Sequence, residues 1–168
     1  MARPCRAVGR QHQPLRGPYF KHGFRPVNLI VEEEFDRAAP LGTGHLKVGG
    51  NYAASLVPQA EGIENGCDQV VFLDAVEKKW IEELGGMNLF FVFDDGRVIT
   101  PKLTGTILPG ITRDSVIEIV KDWGIKMSER SLSIDEVIQA AKNSRLKEAF
   151  GTGTAAVISR SPPGFIIA

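Results

Sequence analysis

The stretch Gly42-Thr43-Gly44-His45-Leu46-Lys47-Val48-Gly49-Gly50-Asn51-Tyr52 places one lysine among four glycines. Glycine adopts positive φ and lets the backbone approach a ligand closely, so Lys47 can meet a small molecule with little steric cover. A lysine held in this way is suited to bonding covalently with a carbonyl ligand. A solvated lysine in a surface loop would have the same local sequence, so the other segments must decide between these two interpretations.

Length and composition favour one domain with a small-molecule partner. The chain has 168 residues, 43% of them hydrophobic and 24% charged, which is enough to bury a core. The net charge is zero, so no electrostatic footprint indicates nucleic acid or an anionic membrane. The two cysteines lie far apart and the three histidines lack metal-ligand spacing, so we predict no metal and a reducing compartment. We find neither a membrane-length apolar run nor a secretory signal, and predict a cytoplasmic location.

Short apolar runs and period-two alternation predict strands over residues 27–31, 69–73, 80–84, 89–93 and 97–100. Asp94-Asp95-Gly96 separates the last two strands and is typical of a hairpin turn. The pair Gly85-Gly86 predicts a bulge that joins two strand pieces. Near the end of the chain, residues 150–158 predict a second glycine-rich turn beside an apolar strand.

Capping residues and apolar periodicity predict three helical segments. The first starts at Asn51 as N-cap and closes at Gly62 or Gly66. The second starts at Thr112 as N-cap and stops at Gly124. The third follows the capping box formed by Ser133 and Glu136. The expected buried faces are Val116, Ile119, Val120 and Trp123 in the second helix and Ile134, Val137, Ile138 and Ala141 in the third.

Two nucleotide-binding patterns can be rejected. The spacing Gly151-x-Gly153-x-x-Ala156 matches a dinucleotide fingerprint but lacks the βαβ context, and Lys47 is followed by Val48 where a phosphate loop needs Ser or Thr. A lysine in a tight loop, a nearby tyrosine, a helix N-terminus and a Gly-Thr turn remain. The backbone N–H groups of a helix N-terminus and of a Gly-Thr turn bind anions, so these parts suit a phosphorylated aldehyde cofactor.

Four blocks of sequence follow one another in order: RAAPLGTGHLKVGGNYA (residues 37–53), EELGGMN (82–88), LPGITR (108–113) and GTAA (153–156). Together they resemble the branched-chain amino acid aminotransferase family. Several blocks in register are far more specific than one glycine-rich loop. The resemblance covers a partial cofactor-binding domain, residues 17–158, and residues 159–168 form a divergent, truncated tail. Residues 1–16 are arginine-rich with few apolar residues, so we expect a disordered or artefactual segment there.

The resemblance implies a pyridoxal-phosphate enzyme of fold type IV. That fold is α+β, with mostly antiparallel strands in a pseudo-barrel and flanking helices. The implied cofactor is pyridoxal 5′-phosphate. Lys47 would bond to it in a buried site and shuttle the proton between Cα of the amino acid and C4′ of the cofactor.

The resemblance also assigns the other cofactor contacts. Tyr52 would hydrogen-bond the phenolate oxygen, and Glu83 would pair with the pyridine nitrogen so that the ring can accept electrons. Arg37 would add positive charge. Without the resemblance, Glu83 would be interpreted as an exposed strand carboxylate and Arg37 as a surface arginine. The remaining contacts would be backbone and hydroxyl groups, for the phosphate at Gly110, Ile111, Thr112, Gly153 and Thr154 and for the substrate carboxylate at Ala155 and Ala156.

The implied reaction is transamination of leucine, isoleucine or valine with 2-oxoglutarate, which makes glutamate and branched 2-oxo acids further partners. Family members are typically homodimers and carry a small N-terminal domain that completes the substrate pocket. We find no such domain in this sequence and expect a fragment. Two alternatives stay open: a fragment that binds the cofactor without turnover, and another enzyme of the same fold, a D-amino acid transaminase or an aminodeoxychorismate lyase. The block Gly49-Gly50-Asn51-Tyr52 argues against the latter.

Overall fold

A computed structural model describes residues 27–154 and the strand at residues 157–160. The predictions for residues 1–16, for most of the tail and for Ala155 and Ala156 therefore lie outside the described residues. The described part contains these strands: β1 (Leu29–Glu32), β2 (Gln69–Leu73), β3 (Ile81–Leu84), β4 (Asn88–Phe93), β5 (Val98–Pro101), β6 (Met127–Arg130), β7 (Leu146–Gly153) and β8 (Val157–Arg160). Its helices are α1 (Gly49–Ala54), α2 (Leu56–Glu64), α3 (Ile111–Asp122) and α4 (Ile134–Lys142). None of these helices is long and apolar enough to cross a membrane.

The strands form one mixed sheet that branches at β4. The pairs β1–β2 and β5–β6 are parallel, and the other described pairs are antiparallel. Strand β7 runs along one edge of β4, while the opposite edge is shared: β3 pairs at Asn88, and β5 pairs at Phe91 and Val92. The predicted α+β class with mostly antiparallel strands is confirmed.

The core lies on both faces of β4, which explains the continuous apolar run in this strand. On one face, Leu89, Phe91 and Phe93 join a cluster that contains Val137 and Ala140 of α4. On the other face, Phe90 packs with Ile117 and Val120 of α3. The Phe90 and Phe150 rings stack with centroids 5.1 Å apart.

The predicted buried stripe of α3 is partly wrong. Val120 is buried and Val116 half-buried, but Ile119 and Trp123 are exposed. The reason is Arg113, whose Nη2 donates to the Pro101 carbonyl (3.0 Å) and to Glu129 (2.8 Å). These bonds turn residues 113, 117 and 120 inward, an i, i+4, i+7 face. The predicted cap is also wrong, because Gly110 is the N-cap and Thr112 lies within the first turn.

Other local predictions are confirmed. Ser133 Oγ accepts a hydrogen bond from the Glu136 N–H (3.1 Å), as a capping box requires. Gly66, Gly96 and Gly124 have positive φ at the ends of α2, of the β4–β5 turn and of α3. Strand β6 was not predicted, and Gly151 to Gly153 continue β7 instead of forming a turn. A Cβ on Gly151 or Gly153 would lie 3.2–3.3 Å from the Met87 side chain, so glycine lets Met87 pack closely there.

The glycine pair connects β3 to β4 as a turn and not as the predicted bulge. The Leu84 N–H donates to the Met87 carbonyl (2.9 Å), and Glu83 pairs directly with Asn88. The turn therefore sets the Glu83 and Asn88 side chains next to each other at the branch of the sheet.

Candidate functional site

The lysine loop, residues 42–48, lies between β1 and α1 and is folded back onto α1 by Asn51. Asn51 Nδ2 donates to the carbonyls of Thr43 and Leu46 (2.8 Å each), and its Oδ1 accepts from Thr43 Oγ1 (2.9 Å). The prediction that Asn51 caps a helix is wrong, because the N-cap of α1 is Val48. Asn51 instead fixes the residues that precede Lys47.

The lysine loop also packs against the β5–α3 loop, residues 102–110. A Cβ at Gly44 would overlap the Thr106 carbonyl and would lie 2.7 Å from the Ala38 Cβ. His45 Nδ1 is 3.2 Å from the Gly105 carbonyl. Glycine at position 44 is therefore required by the close approach of two backbones.

Lys47 opens onto a cavity of about 590 Å³, which we call the lysine cavity. Its walls include three further residues predicted from the resemblance: Tyr52, Gly153 and Thr154. The remaining lining comes from the junction of α1 and α2, from α2, from the start of β2 and from the β3–β4 turn: Ser55, Leu56, Gln59, Ile63, Asp68, Gln69, Gly85, Gly86 and Met87. Lys47 is exposed, contrary to the expected burial, because the cavity that it lines is open to solvent.

Glu83 is buried with 3% exposure and holds several hydrogen bonds. Its Oε1 accepts the Leu108 N–H (2.9 Å) and lies 2.6 Å from Arg37 Nη2, while its Oε2 accepts from Asn88 Nδ2 (3.3 Å). Burial raises the pKa of Glu83 to about 7, although the Arg37 charge and the Leu108 N–H both favour the ionised form. The interpretation of Glu83 as an exposed carboxylate is wrong.

Arg37 is buried as well, with 6% exposure, so it is not a surface arginine. Besides the ion pair with Glu83, its Nη2 donates to the Gly44 carbonyl (3.1 Å) and to the Thr106 carbonyl. Arg37 thereby links the lysine loop, the β5–α3 loop and β3. The neighbouring Glu82 accepts a hydrogen bond from Thr106 Oγ1, and burial raises its pKa also.

Glu83 and Arg37 line a narrower second cavity, the glutamate crevice. Its walls are Arg37, Leu46, Asn51, Tyr52, Glu83, Gly85, Gly86 and Leu108. Tyr52 and the glycine pair line both cavities. The structure thus places Lys47 and Thr154 in one cavity and Glu83 and Arg37 in the other, with Tyr52 between them.

The residues at the start of α3, Gly110 to Thr112, are not among the residues that line these two cavities. Gly110 has no side-chain cap, so the N–H groups of Ile111 and Thr112 receive no cap from a side chain. Gly110 packs directly against Asn88, so a Cβ at this position would overlap Asn88 Oδ1. Asn88 Nδ2 also donates to the Leu108 carbonyl (2.8 Å), so one side chain connects Glu83 to the start of α3.

Sequence reasoning missed the roles of Asn51, Asn88, Thr106 and Leu108. Asn88 and Leu108 lie inside matched blocks, but the contact of Leu108 with Asn88 and Glu83 spans 20 or more residues of sequence. Only the β3–β4 turn could have suggested that Asn88 faces Glu83.

A profile described as Amino-transferase class IV matches residues 18–160. The chain belongs to this family. Branched-chain-amino-acid aminotransferase 2 of Bacillus subtilis (strain 168) is 56% identical to this class IV aminotransferase chain over 151 residues, which is 90% of the chain and 41% of that protein. The branched-chain-amino-acid aminotransferase of Mycobacterium tuberculosis (strain CDC 1551 / Oshkosh) is 55% identical, over 85% of the chain and 40% of that protein. The chain therefore spans about two fifths of the length of these relatives.

Solved structures of similar proteins support the same assignment. The branched-chain amino acid aminotransferase of Escherichia coli superimposes with a TM-score of 0.70 at 36% identity, over 81% of this class IV chain and 43% of that one. The branched-chain amino acid aminotransferase of Thermobaculum terrenum in its PLP-form superimposes with a TM-score of 0.71 at 28% identity, over 83% of this chain and 43% of that one. The α+β fold is shared with these neighbours.

The residues present fit pyridoxal phosphate. The lysine cavity offers an amine, the Thr154 hydroxyl and a floor of glycine backbone at Gly86 and Gly153, where a Cβ on Gly153 would lie 3.2 Å from the Gly86 carbonyl oxygen. The glutamate crevice contains a buried carboxylate, which can pair with a cationic ring, and the start of α3 has N–H groups without a side-chain cap, which can bind an anion. This class IV chain therefore contains the amine, the carboxylate and the anion-binding N–H donors that fit this cofactor.

Proposed function

We infer that this chain is the larger, pyridoxal-phosphate-binding part of a branched-chain-amino-acid aminotransferase. The reaction moves an amino group between leucine, isoleucine or valine and 2-oxoglutarate, with glutamate and branched 2-oxo acids as the other small-molecule partners. The observation that carries the proposal is the 56% identity to the Bacillus subtilis relative across residues that include the lysine cavity and Glu83. Homodimeric assembly and a cytoplasmic location stay predictions from the resemblance and from composition.

The cofactor would be held by residues of both cavities. When bound, pyridoxal phosphate supplies a cationic ring that accepts the electron pair released when the Cα–H bond of the amino acid breaks. Lys47 would bond to it and Tyr52 would donate a hydrogen bond to its phenolate oxygen. The phosphate would rest on N–H groups after Gly110, at Ile111 and Thr112, and on the end of β7 at Gly153 and Thr154.

Lys47 Nζ would also be the group that moves the proton. As a free amine it would take the proton from Cα of the amino acid and deliver it to C4′ of the cofactor, which would make it both general base and general acid. Asn51 supports this role, because its three hydrogen bonds fix the loop that carries Lys47. Ala155 and Ala156 would approach the substrate carboxylate through their backbone.

Glu83 would keep the pyridine nitrogen protonated. That task requires an ionised carboxylate, and burial alone favours the neutral acid. The Arg37 guanidinium, 2.6 Å away, adds the positive charge that opposes the effect of burial. Arg37 thereby contributes to the cofactor site without an assigned contact to the phosphate.

A second candidate function is cofactor binding without turnover by the 168-residue chain alone. It is favoured by one observation: Lys47 is exposed in an open cavity, so water reaches the group that must move the proton.

The test is a chimera that joins this chain to the N-terminal part of the Bacillus subtilis relative. With added pyridoxal phosphate, the chimera should convert leucine and 2-oxoglutarate to glutamate, and Lys47→Ala in the chimera should abolish the reaction. A chimera that binds the cofactor but shows no exchange with leucine, isoleucine or valine would refute the proposed substrates. Activity that survives Lys47→Ala would refute the proposed catalytic residue.

A further inference from the structure

We propose that Arg37 acts on the cofactor only through Glu83, as a positioning residue that holds Oε1 and leaves Oε2 for the ring nitrogen. The inference rests on the proposed function, because it deepens the role of Glu83 in the same site. It changes the expectation for Arg37 from a direct charge contact with the cofactor to an indirect one.

The hydrogen bonds of Glu83 are divided unequally between its two oxygens. Oε1 faces both Arg37 Nη2 (2.6 Å) and the Leu108 N–H (2.9 Å), which use its two acceptor positions. Oε2 accepts only the long bond from Asn88 Nδ2 (3.3 Å) among the described residues. One acceptor position of Oε2 is therefore open to a further N–H donor, and the protonated ring nitrogen is such a donor.

Arg37 is fixed where it lies. Its Nη2 is within hydrogen-bonding distance of three oxygens, those of Glu83, Gly44 and Thr106, and its side chain is 5% exposed. Two of these oxygens are backbone carbonyls on separate loops, so the guanidinium cannot leave Glu83 without stranding them. A cofactor phosphate at Thr154 would lie in the other cavity, since Arg37 lines the glutamate crevice and not the lysine cavity.

The positive charge of Arg37 favours the ionised form of Glu83. Burial favours protonated Glu83, and a protonated carboxyl cannot pair with a protonated ring nitrogen. Arg37 is the largest influence that lowers the pKa of Glu83, ahead of the Leu108 N–H and of Arg113, while Glu82 raises it. Glu83 is thus supplied with a counter-ion before the cofactor arrives.

The first measurement needs no cofactor. In the 168-residue chain labelled with ¹³C at glutamate carboxyls, the signal lost in Glu83→Gln identifies Glu83, and its shift is followed with pH. Arg37→Met should raise the apparent pKa by about one unit or more, and Arg37→Lys, which keeps the charge, should raise it less. The matched control is Arg130→Met, since Arg130 pairs with Glu136 and does not contact Glu83, and it should leave the Glu83 titration unchanged. An unchanged titration in Arg37→Met would overturn the proposal, whether or not the protein is an aminotransferase.

The second measurement is a double-mutant cycle on the affinity for pyridoxal phosphate. Arg37→Met should weaken binding in the natural background and add no further loss in the Glu83→Gln background. A further loss in the double variant would show direct contact with the cofactor and contradict the proposal.

Folding of the variants is informative in itself. The Arg37→Met variant agrees with the proposal if it is folded at pH 5 but unfolds as Glu83 ionises, because a buried carboxylate without its partner then destabilises the fold. Unfolding of both Arg37→Met and the double variant at every pH would assign Arg37 to general packing and overturn the positioning role.

Discussion

At the scale of single residues, the site depends on polar side chains that are buried together with their partners. Asn51, Glu83 and Asn88 are each at most 6% exposed, and each bonds to a loop outside its own helix or strand. Asn51 bonds to the lysine loop, and Glu83 bonds to Leu108 of the β5–α3 loop. Asn88 joins Glu83 to the start of α3. A buried polar group that loses its partner costs about 1–3 kcal/mol, so these contacts specify one arrangement of the loops.

Glu83 should make the stability of the cofactor-free chain depend on pH. Its pKa of about 7 in the folded protein lies above the ordinary 4.5, so the folded state binds more protons than the unfolded state between these values. The stability contributed by this group is therefore fully present below about pH 4.5 and is lost as the pH rises through 7, with an upper limit of about 3 kcal/mol. Urea unfolding at several pH values should show this decline in the natural chain and a flatter profile in Glu83→Gln.

The difference between the two profiles isolates Glu83, since Glu82 and the other titrating groups are common to both proteins. Parallel profiles would contradict the raised pKa.

At the scale of elements, local patterns predicted the strands and turns well because their signals lie within a few residues. Asp94-Asp95-Gly96, the Ser133 capping box and the apolar runs of β2 and β4 are of this kind. The predictions failed where side-chain contacts between separate segments decide the local structure. Asn51 bonds to the lysine loop instead of capping a helix, and the buried Arg113 rotates α3 away from its apparent apolar stripe.

The same limit applies to the candidate site. The resemblance supplied Lys47, Tyr52, Glu83 and Thr154, and the structure brings them to two adjoining cavities. No local pattern could show that Glu83 is buried against Arg37, because 46 residues of chain separate the ion pair in the sequence. The same Arg37 guanidinium also bonds to the carbonyls of Gly44 and Thr106, where the lysine loop packs on the β5–α3 loop.

That packing predicts opposite effects for two glycines of the lysine stretch. Gly44→Ala should lower the free energy of unfolding by about 1–3 kcal/mol, because its Cβ would overlap the Thr106 backbone. Gly50→Ala is the matched control, since a Cβ there meets nothing within 4 Å and the residue lies in α1. It should leave stability unchanged or raise it by up to about 1 kcal/mol. Equal effects of the two substitutions in thermal and urea unfolding would contradict the proposed loop contact.

At the scale of the whole molecule, the chain carries the proposed cofactor groups in an open setting. It spans about two fifths of its relatives, and the lysine cavity leaves Lys47 exposed. Water that enters such a site weakens electrostatic contacts and leaves the Cα–H bond poorly oriented toward the base.

The 168-residue chain alone should therefore turn over leucine and 2-oxoglutarate at least about 10²-fold more slowly than the chimera with the Bacillus subtilis N-terminal part. Both proteins are assayed at saturating pyridoxal phosphate, so that the comparison reports turnover and not cofactor loading. Comparable rates would show that this chain forms a complete active site by itself.

The central claim is that Lys47 is the residue that bonds to the cofactor. Its most direct test is borohydride reduction of the cofactor-loaded chain, followed by peptide mapping by mass spectrometry. We predict the phosphopyridoxyl label on Lys47, with no label at this site in Lys47→Ala. A label on Lys102 or another lysine, with Lys47 unmodified, would contradict the claim.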